Sequence, residues 1–327
     1  MLVIQRAVAH AFCLVALCIG FSPESRADDY PSRLVTIVVP YTTGGTTDLL
    51  ARIIARGLSA RLGQSFIVGN RPGAAGKVGS QGVVRAAPDG YTLLVTNEAP
   101  VTTLPSERAD MPYDPISDLT PITIAAAMPF YMMVRSDLSA RSVAELIKLA
   151  RSKSEGLTYG STGVGGVSHL VTEAFSSLTA VKLFHVPYKG GAEGLAELIA
   201  GRIDIFLTMP TTALPHINNP KIRFLAVASS ARSPQAPRIP TFGEEGVANF
   251  VFGSWFGVLG PGKLPREIVR KLNTSIVDVL HAPDTKKFLN EQGAYIVANS
   301  PEEAAATIES DIVRWRQLAK EANIVIR

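Results

Sequence analysis

The chain has 327 residues, 46% of them hydrophobic and 18% charged, with a formal net charge of +4. That length exceeds what a single hydrophobic core usually fills, so two domains or one large α/β domain are expected, and the apolar fraction excludes disorder. So small a charge, without a basic run, gives little support for nucleic-acid binding.

The N-terminus has the pattern of an export signal. Arg6 precedes an uncharged, mostly apolar run from Ala7 to Phe21, broken only by His10. The small-residue triplet Ser25-Arg26-Ala27 and the acidic pair Asp28-Asp29 follow. A short basic region, an apolar stretch and a small-residue cleavage site describe a secretory signal peptide over residues 1–27. The stretch is too short to span a bilayer comfortably, which takes about 20 residues. Val15-Ala16-Leu17-Cys18 loosely resembles a lipidation box, but the bulky Leu17 before the cysteine argues against it. Both cysteines, Cys13 and Cys18, fall inside the signal. The chain from residue 28 onward is therefore cysteine-free, as suits an exported protein of the bacterial periplasm stabilised by size rather than by disulfides.

Strand and helix patterns then alternate. Leu34–Val39 is a β-branched run of the kind found in buried parallel strands. It ends at Pro40, and a turn of glycines and capping residues follows, Tyr41-Thr42-Thr43-Gly44-Gly45-Thr46-Thr47-Asp48. Leu49, Leu50, Ile53, Ile54, Leu58 and Leu62 mark one face of a helix that stops before Gly63. Ser142-Val143-Ala144-Glu145 is a capping box opening a helix through Ala150. Leu157–Gly160 reads as a strand, Ser161–Gly166 as a loop, and Leu170, Val171, Ala174, Phe175 and Leu178 as a helix face. Strands are expected at 182–187, 203–207 and 222–228, and helices at 193–200 and 264–281. Ser300-Pro301-Glu302-Glu303 is a second capping box, opening a helix to Asn323. The class is α/β.

No catalytic constellation emerges. Beyond the signal the histidines are His169, His185, His216 and His281, none paired at a metal-ligand spacing, and the absence of cysteine there removes thiol chemistry. Ser161 lacks the flanking glycines of a nucleophile elbow. Gly73-Ala74-Ala75-Gly76-Lys77-Val78 imitates a phosphate loop, but its glycines are too close together and Val78 stands where Ser or Thr is required. Two glycine-bearing loops at helix N-termini remain, Thr42–Asp48 and Ser161–Ser168. Helix-end N–H groups make an anion site without a charged side chain, and each loop could hold one end of a small carboxylate. The alternative is that Gly44-Gly45 and Gly165-Gly166 are turn residues, with Thr46 and Ser168 simple caps.

The order of several segments resembles the substrate-binding proteins of tripartite tricarboxylate transporters, the Bug family of periplasmic solute receptors. Those segments are Val39–Asp48, Asn70–Gly76, Pro88–Leu94, Tyr159–Gly165 with His169-Leu170, Val186–Gly191, Gly201–Asp204 and Trp255–Pro261. The resemblance implies a type II periplasmic-binding-protein fold: two α/β lobes joined by a hinge, with a ligand cleft between them. It implies a first lobe from 28–126, a second from 127–250, and a return to the first over 251–327, with crossings near Ala125–Pro129 and Phe250–Trp255. It further implies no enzymatic activity and no cofactor or metal. The expected partners are a small carboxylate, captured by closure of the lobes, and a membrane permease; a sensor kinase is the alternative recipient. The chain is expected to be monomeric.

By the same resemblance the ligand loops are Tyr41, Thr42, Thr43, Gly44, Gly45, Thr46 and Asp48 on one lobe, and Ser161, Thr162, Gly163 and Gly165 on the other. Tyr188, Gly190 and Asp204 match further positions near the cleft, and Asn97 and His169 are further candidate ligand residues. Asp48 either orients its loop by accepting N–H bonds or is a first-turn acid favouring the helix dipole. His169 is either within reach of ligand or a satisfied core histidine. Asp204 either receives a ligand donor or fixes a strand end. Tyr41 and Tyr188 are cleft walls or packing. Thr42-Thr43 and Glu98 depart from the family pattern, and a Glu98 in the cleft would repel a second carboxylate.

Overall fold

A computed structural model of the chain describes residues 30–107 and 111–321. The signal-peptide reading, with Cys13 and Cys18, lies outside these residues.

The strands assort into two sheets. The first contains β1 (Val35–Val39), β2 (Phe66–Asn70), β3 (Thr92–Asn97), β4 (Leu119–Pro129), β10 (Gly253–Pro261) and β11 (Tyr295–Ile296), in the order 11-4-10-3-1-2. The second contains β5 (Tyr131–Arg135), β6 (Leu157–Ser161), β7 (Leu183–Pro187), β8 (Ile205–Thr208) and β9 (Ile222–Val227), in the order 7-6-8-5-9. The helices of two turns or more are α1 (Thr46–Leu62), α2 (Lys77–Val84), α3 (Val143–Ser152), α4 (Val167–Thr179), α5 (Gly191–Ile199), α6 (Arg266–His281), α7 (Pro283–Glu291) and α8 (Pro301–Glu321).

Each sheet is built around a strand with parallel partners on both sides. β1 lies between β2 and β3, and β6 lies between β7 and β8. Right-handed crossovers that leave such a strand in opposite directions place their helices on opposite faces of the sheet. The core shows this: Leu50, Ile54 and Leu58 of α1 pack with Val35 and Ile37, whereas Val83 of α2 packs with Val38 and Leu94. The divergence opens a crevice beyond the carboxyl end of the central strand, where α/β sheets bind ligands. The loops after β1 and β6 occupy these two crevices.

Of the two capping boxes, the one at Ser300 forms completely and the one at Ser142 forms by half. The Ser300 hydroxyl accepts the Glu303 amide at 3.2 Å while the Glu303 carboxylate accepts the Ser300 amide at 2.9 Å. Ser142 likewise accepts the Glu145 amide at 3.1 Å, but the Glu145 carboxylate reaches the Arg141 amide instead of completing the box.

Strands β2, β3, β4, β5, β10 and β11 and helices α2 and α7 lie outside the elements expected from the sequence. β4 carries Pro121 and Pro129, and β10 carries Gly253, Gly257 and Gly260. Neither is a β-branched run; their pairing with each other along almost their whole length makes them strands. β4 ends at Pro129 in the first sheet and β5 begins at Tyr131 in the second, so the chain crosses at Phe130. The boundary read at 126/127 falls inside β4, whose residues remain in the first sheet to Pro129. The return passes through Phe252, whose carbonyl accepts the Phe130 amide at 3.3 Å. Ala228 donates to the Phe130 carbonyl at 2.8 Å, tying the crossing segments side by side.

Candidate ligand-binding cleft

The lobes meet along the loops after β1 and β6 and leave between them a cavity of about 50 Å³. It has room for on the order of four waters. From the first lobe, Tyr41, Thr42, Gly45, Thr46, Thr47 and Asn97 face it. From the second come Thr162, Val167 and Ser168, then Gly190 and Gly191, then Thr208 and Thr212. Phe130, Leu207, Met209 and Phe256 supply an apolar wall. None of the lining side chains carries a formal charge.

Three helices begin at this cavity: α1 at Thr46, α4 at Val167 and α5 at Gly191. None of the three has a side-chain cap on its first amides. The first four N–H groups of a helix have no acceptor within it, and the aligned peptide dipoles place partial positive charge there. An anion in the cavity therefore meets converging N–H donors and threonine hydroxyls, with the charge supplied by backbone.

The first loop is held from behind. The Asp48 carboxylate accepts the Gly44 amide at 3.1 Å, Arg52 Nε at 2.9 Å and Asn70 Nδ2 at 3.0 Å. Burial pushes this carboxyl up, but the bonds from Arg52, Gly44 and Asn70 together outweigh it and hold it below the ordinary aspartate value. Asn70 also donates to the Tyr41 carbonyl at 3.0 Å. Asp48 is thus the anchor of the loop and does not line the cavity, and Thr43 and Gly44 are exposed on its outer side. The Tyr41 hydroxyl lies 2.5 Å from Asn97 Oδ1 and 3.1 Å from the Ala75 carbonyl, and so fixes Asn97 at the cavity edge.

The second loop turns on residues of positive φ, Gly163 at +121° and Gly165 at +76°. Ser161 Oγ bonds both the amide and the carbonyl of Gly163 at 3.1 Å, and Thr162 N donates to Ser168 Oγ at 3.0 Å. Ser161, Gly163 and Gly165 shape the loop while Thr162 alone of the four predicted residues lines the cavity. His169 sits beneath the loop, accepting the Gly165 amide on Nδ1 at 3.0 Å. Tyr188 opens onto a neighbouring groove shared with Ala75 and Lys77.

Two acids stand elsewhere. Asp204 precedes β8 and therefore lies at the amino end of the sheet, opposite the loop after β6. Its carboxylate accepts Arg135 Nε at 2.7 Å and the Thr158 amide at 2.8 Å. Burial pushes it up, and the bonds from Arg135 and Thr158 bring it below the usual value. It fixes a strand end. Glu98 points away from the cleft into the first lobe and is fully buried, with neither carboxyl oxygen completing a hydrogen bond. Burial, then the nearby Asp311, pushes its carboxyl well above the ordinary range, against the opposing influence of Arg314, the Trp255 backbone and the Ser254 hydroxyl. The condition under which Glu98 would repel a second carboxylate is therefore not met: Asn97, the last residue of β3, faces the cavity, and Glu98 turns inward.

The lobes touch directly. Thr103 Oγ1 donates to the Gly165 carbonyl at 2.7 Å, and the hydroxyls of Thr46 and Thr211 are hydrogen-bonded across the cleft. A Cβ on Gly190 would stand 2.2 Å from Thr42 Oγ1, and one on Gly163 would stand 3.1 Å from the Ala75 amide. Thr47, Val167 and Ser168 lie in the two loops read from the sequence but were not singled out there, and Phe130, Gly191, Leu207, Thr208, Met209, Thr212 and Phe256 were missed. A signal existed for Thr208 and Met209, which end a parallel strand on the ligand side, and for Gly191, which opens a helix.

Two α/β lobes, a double crossing and an enclosed cleft define the class: a two-lobed periplasmic solute-binding protein. Residues 50–324 match the family described as Tripartite tricarboxylate transporter family receptor, TctC. The chain belongs to this family. Protein BugT of Bordetella pertussis is 31% identical over 309 residues, 94% of this chain and 95% of the relative. The structure of Rpa4515 from Rhodopseudomonas palustris with adipate is similar at TM-score 0.87 and 38% identity, covering 91% of this chain and 99% of that one. MatC of the same organism, with bound malate, has TM-score 0.84 and 30% identity, covering 88% and 99%. As in its family, the chain is a binding protein rather than an enzyme. Among the described residues no helix is long and apolar enough to cross a membrane.

Proposed function

We propose that this receptor captures a small organic carboxylate in the periplasm by closure of its lobes and delivers it, as a monomer, to the membrane permease of a tripartite tricarboxylate-type transporter. The observation that carries the reading is the uncharged cavity into which three helix N-termini open from both lobes. Partial positive charge on both sides of one cavity gives a carboxylate contacts that exist together only when the lobes are shut, and this biases the open–closed equilibrium. The direct ligand residues in this reading are Tyr41, Thr42, Gly45, Thr46, Asn97, Thr162 and Gly190, with Asp48 and the second-loop glycines as their support. The adipate and malate bound by the two relatives make dicarboxylates the first acids to test.

Thermal denaturation against mono- and dicarboxylates, aromatic acids and amino acids tests the proposal. Ligand at a hundredfold excess over Kd stabilises by about 2.7 kcal/mol, which in a chain of this size raises Tm by roughly 5 °C. The acid should be recovered unchanged. A flat Tm across the whole panel, or turnover of the acid, overturns the reading.

A further inference from the structure

Beneath the second ligand loop lies an aromatic column that the cleft itself does not expose. Tyr159 of β6, His185 of β7 and His169 of α4 are stacked, with Tyr159 and His185 centroids 5.0 Å apart and the two imidazoles 4.0 Å apart at 13°. Each imidazole bonds one residue of the loop. His169 Nδ1 accepts the Gly165 amide at 3.0 Å, and His185 Nε2 lies 2.5 Å from Ser161 Oγ. Gly165 is also the residue whose carbonyl accepts Thr103 from the other lobe, and Ser161 is the residue that bonds Gly163. Both residues hold the loop in its turn.

We propose that His169 and His185 are positioning residues for the ligand loop and act as a pair of neutral imidazoles: His169 fixes the Gly165 peptide, His185 fixes the Ser161 hydroxyl, and ligand affinity depends on both remaining uncharged. This rests on the loop's being part of the carboxylate site. The geometry defines the tautomer of His169, because a nitrogen that accepts an amide carries no proton; the ring proton is on Nε2. A second proton on Nδ1 would set two N–H groups against each other and release Gly165. It would also bring a charge into face-to-face contact with a second imidazole. The titratable groups facing the pair are Tyr159 and, through its hydroxyl, Glu173 of α4.

Burial disfavours the charged form of both rings, and in His169 the neighbouring His185 adds to it, so that they titrate near 3 and 4 respectively. In an unfolded chain histidine titrates near ~6.5. The unfolded state therefore binds more protons between these values. The pair's contribution to stability is complete above about pH 6.5 and is lost as pH falls from there toward 4 and 3.

Imidazole nitrogen NMR of the intact protein, amide hydrogen exchange at Gly165 and titration with sodium adipate test the proposal together. Expected are a neutral Nε2–H tautomer for His169 at pH 5, and protection of the Gly165 amide. His169→Phe keeps the ring but removes the acceptor, and should speed Gly165 exchange and weaken adipate binding at least tenfold each. His169→Asn, whose Oδ1 can replace Nδ1, should recover most of both. An ionised or Nδ1-protonated His169 at pH 5 overturns the proposal, as does equal behaviour of the Phe and Asn variants. Should wild-type protein bind neither adipate nor any acid of the panel, the carboxylate reading fails; the tautomer and the Gly165 exchange then decide the positioning role alone. The wild-type spectrum decides it if His169→Phe does not fold.

Discussion

Neighbouring residues in this cleft have opposite assignments, and Asn97 and Glu98 illustrate it. Asn97 is held at the cavity by Tyr41, while the Glu98 carboxyl is buried among Trp255, Ser254 and α8 residues Asp311 and Arg314. A raised carboxyl keeps its proton to higher pH in the fold than in the unfolded chain. Its burial is therefore tolerated below the unfolded value near ~4.3, and stability is lost as pH rises through the folded one. Replacing Glu98 with Gln should accordingly raise the urea midpoint at pH 8, leave it nearly unchanged at pH 4, and leave the ranking of bound acids unaltered. A changed ligand ranking would return Glu98 to the cleft. Asp48 and Asp204 show the reverse sign: both are held below the usual value, so their bonds stabilise above about pH ~4 and are lost as pH falls through the folded values. What distinguishes the two aspartates functionally is position. Asp48 follows a parallel strand and anchors a loop at the cavity, whereas Asp204 precedes one and fixes the opposite end of its sheet.

Turn geometry, rather than side-chain chemistry, sets the fit between the lobes at the level of elements. Gly190 has an extended backbone, φ −179°, that any residue can adopt, so its importance is the space occupied by Thr42 across the cleft. Gly190→Ala should fold with nearly wild-type stability but weaken carboxylate binding tenfold or more, because a methyl group there collides with Thr42 only in the closed form. Thr42→Ala in the same chain should recover part of the loss. Calorimetric titration reads both effects, and an unchanged Kd for Gly190→Ala would show that closure does not need the contact. Much of this level was legible in the sequence. The β1–α1 and β6–α4 units were marked by an apolar run, a glycine turn and a helical face, because local propensity and burial agree there. Strands β4 and β10 were not legible. They owe their extension to each other's hydrogen bonds across more than a hundred residues of chain, and single-segment composition holds no record of a partner.

The whole molecule is a receptor with a weak net charge and a cavity whose lining side chains are all uncharged. Its anion affinity, in the reading proposed here, comes from oriented amides shut away from solvent. Salt screens exposed charges over about 8–10 Å of water but reaches an enclosed site much less. Adipate Kd should therefore change less than about threefold between 50 mM and 500 mM NaCl, measured by calorimetry; a steep loss with salt would point to surface lysines instead. The sequence by itself determined the α/β class, the two glycine loops and the order of segments that marks the family, because these follow from local periodicity, turn chemistry and chain order. Tertiary structure alone decided which of the loop residues face the cavity, that Gly190 and Thr42 meet, that His169 lies beneath the loop rather than in the cleft, and that Glu98 and Asp204 serve the framework. Those are matters of distance between segments far apart in the chain, and only packing two lobes against each other sets them.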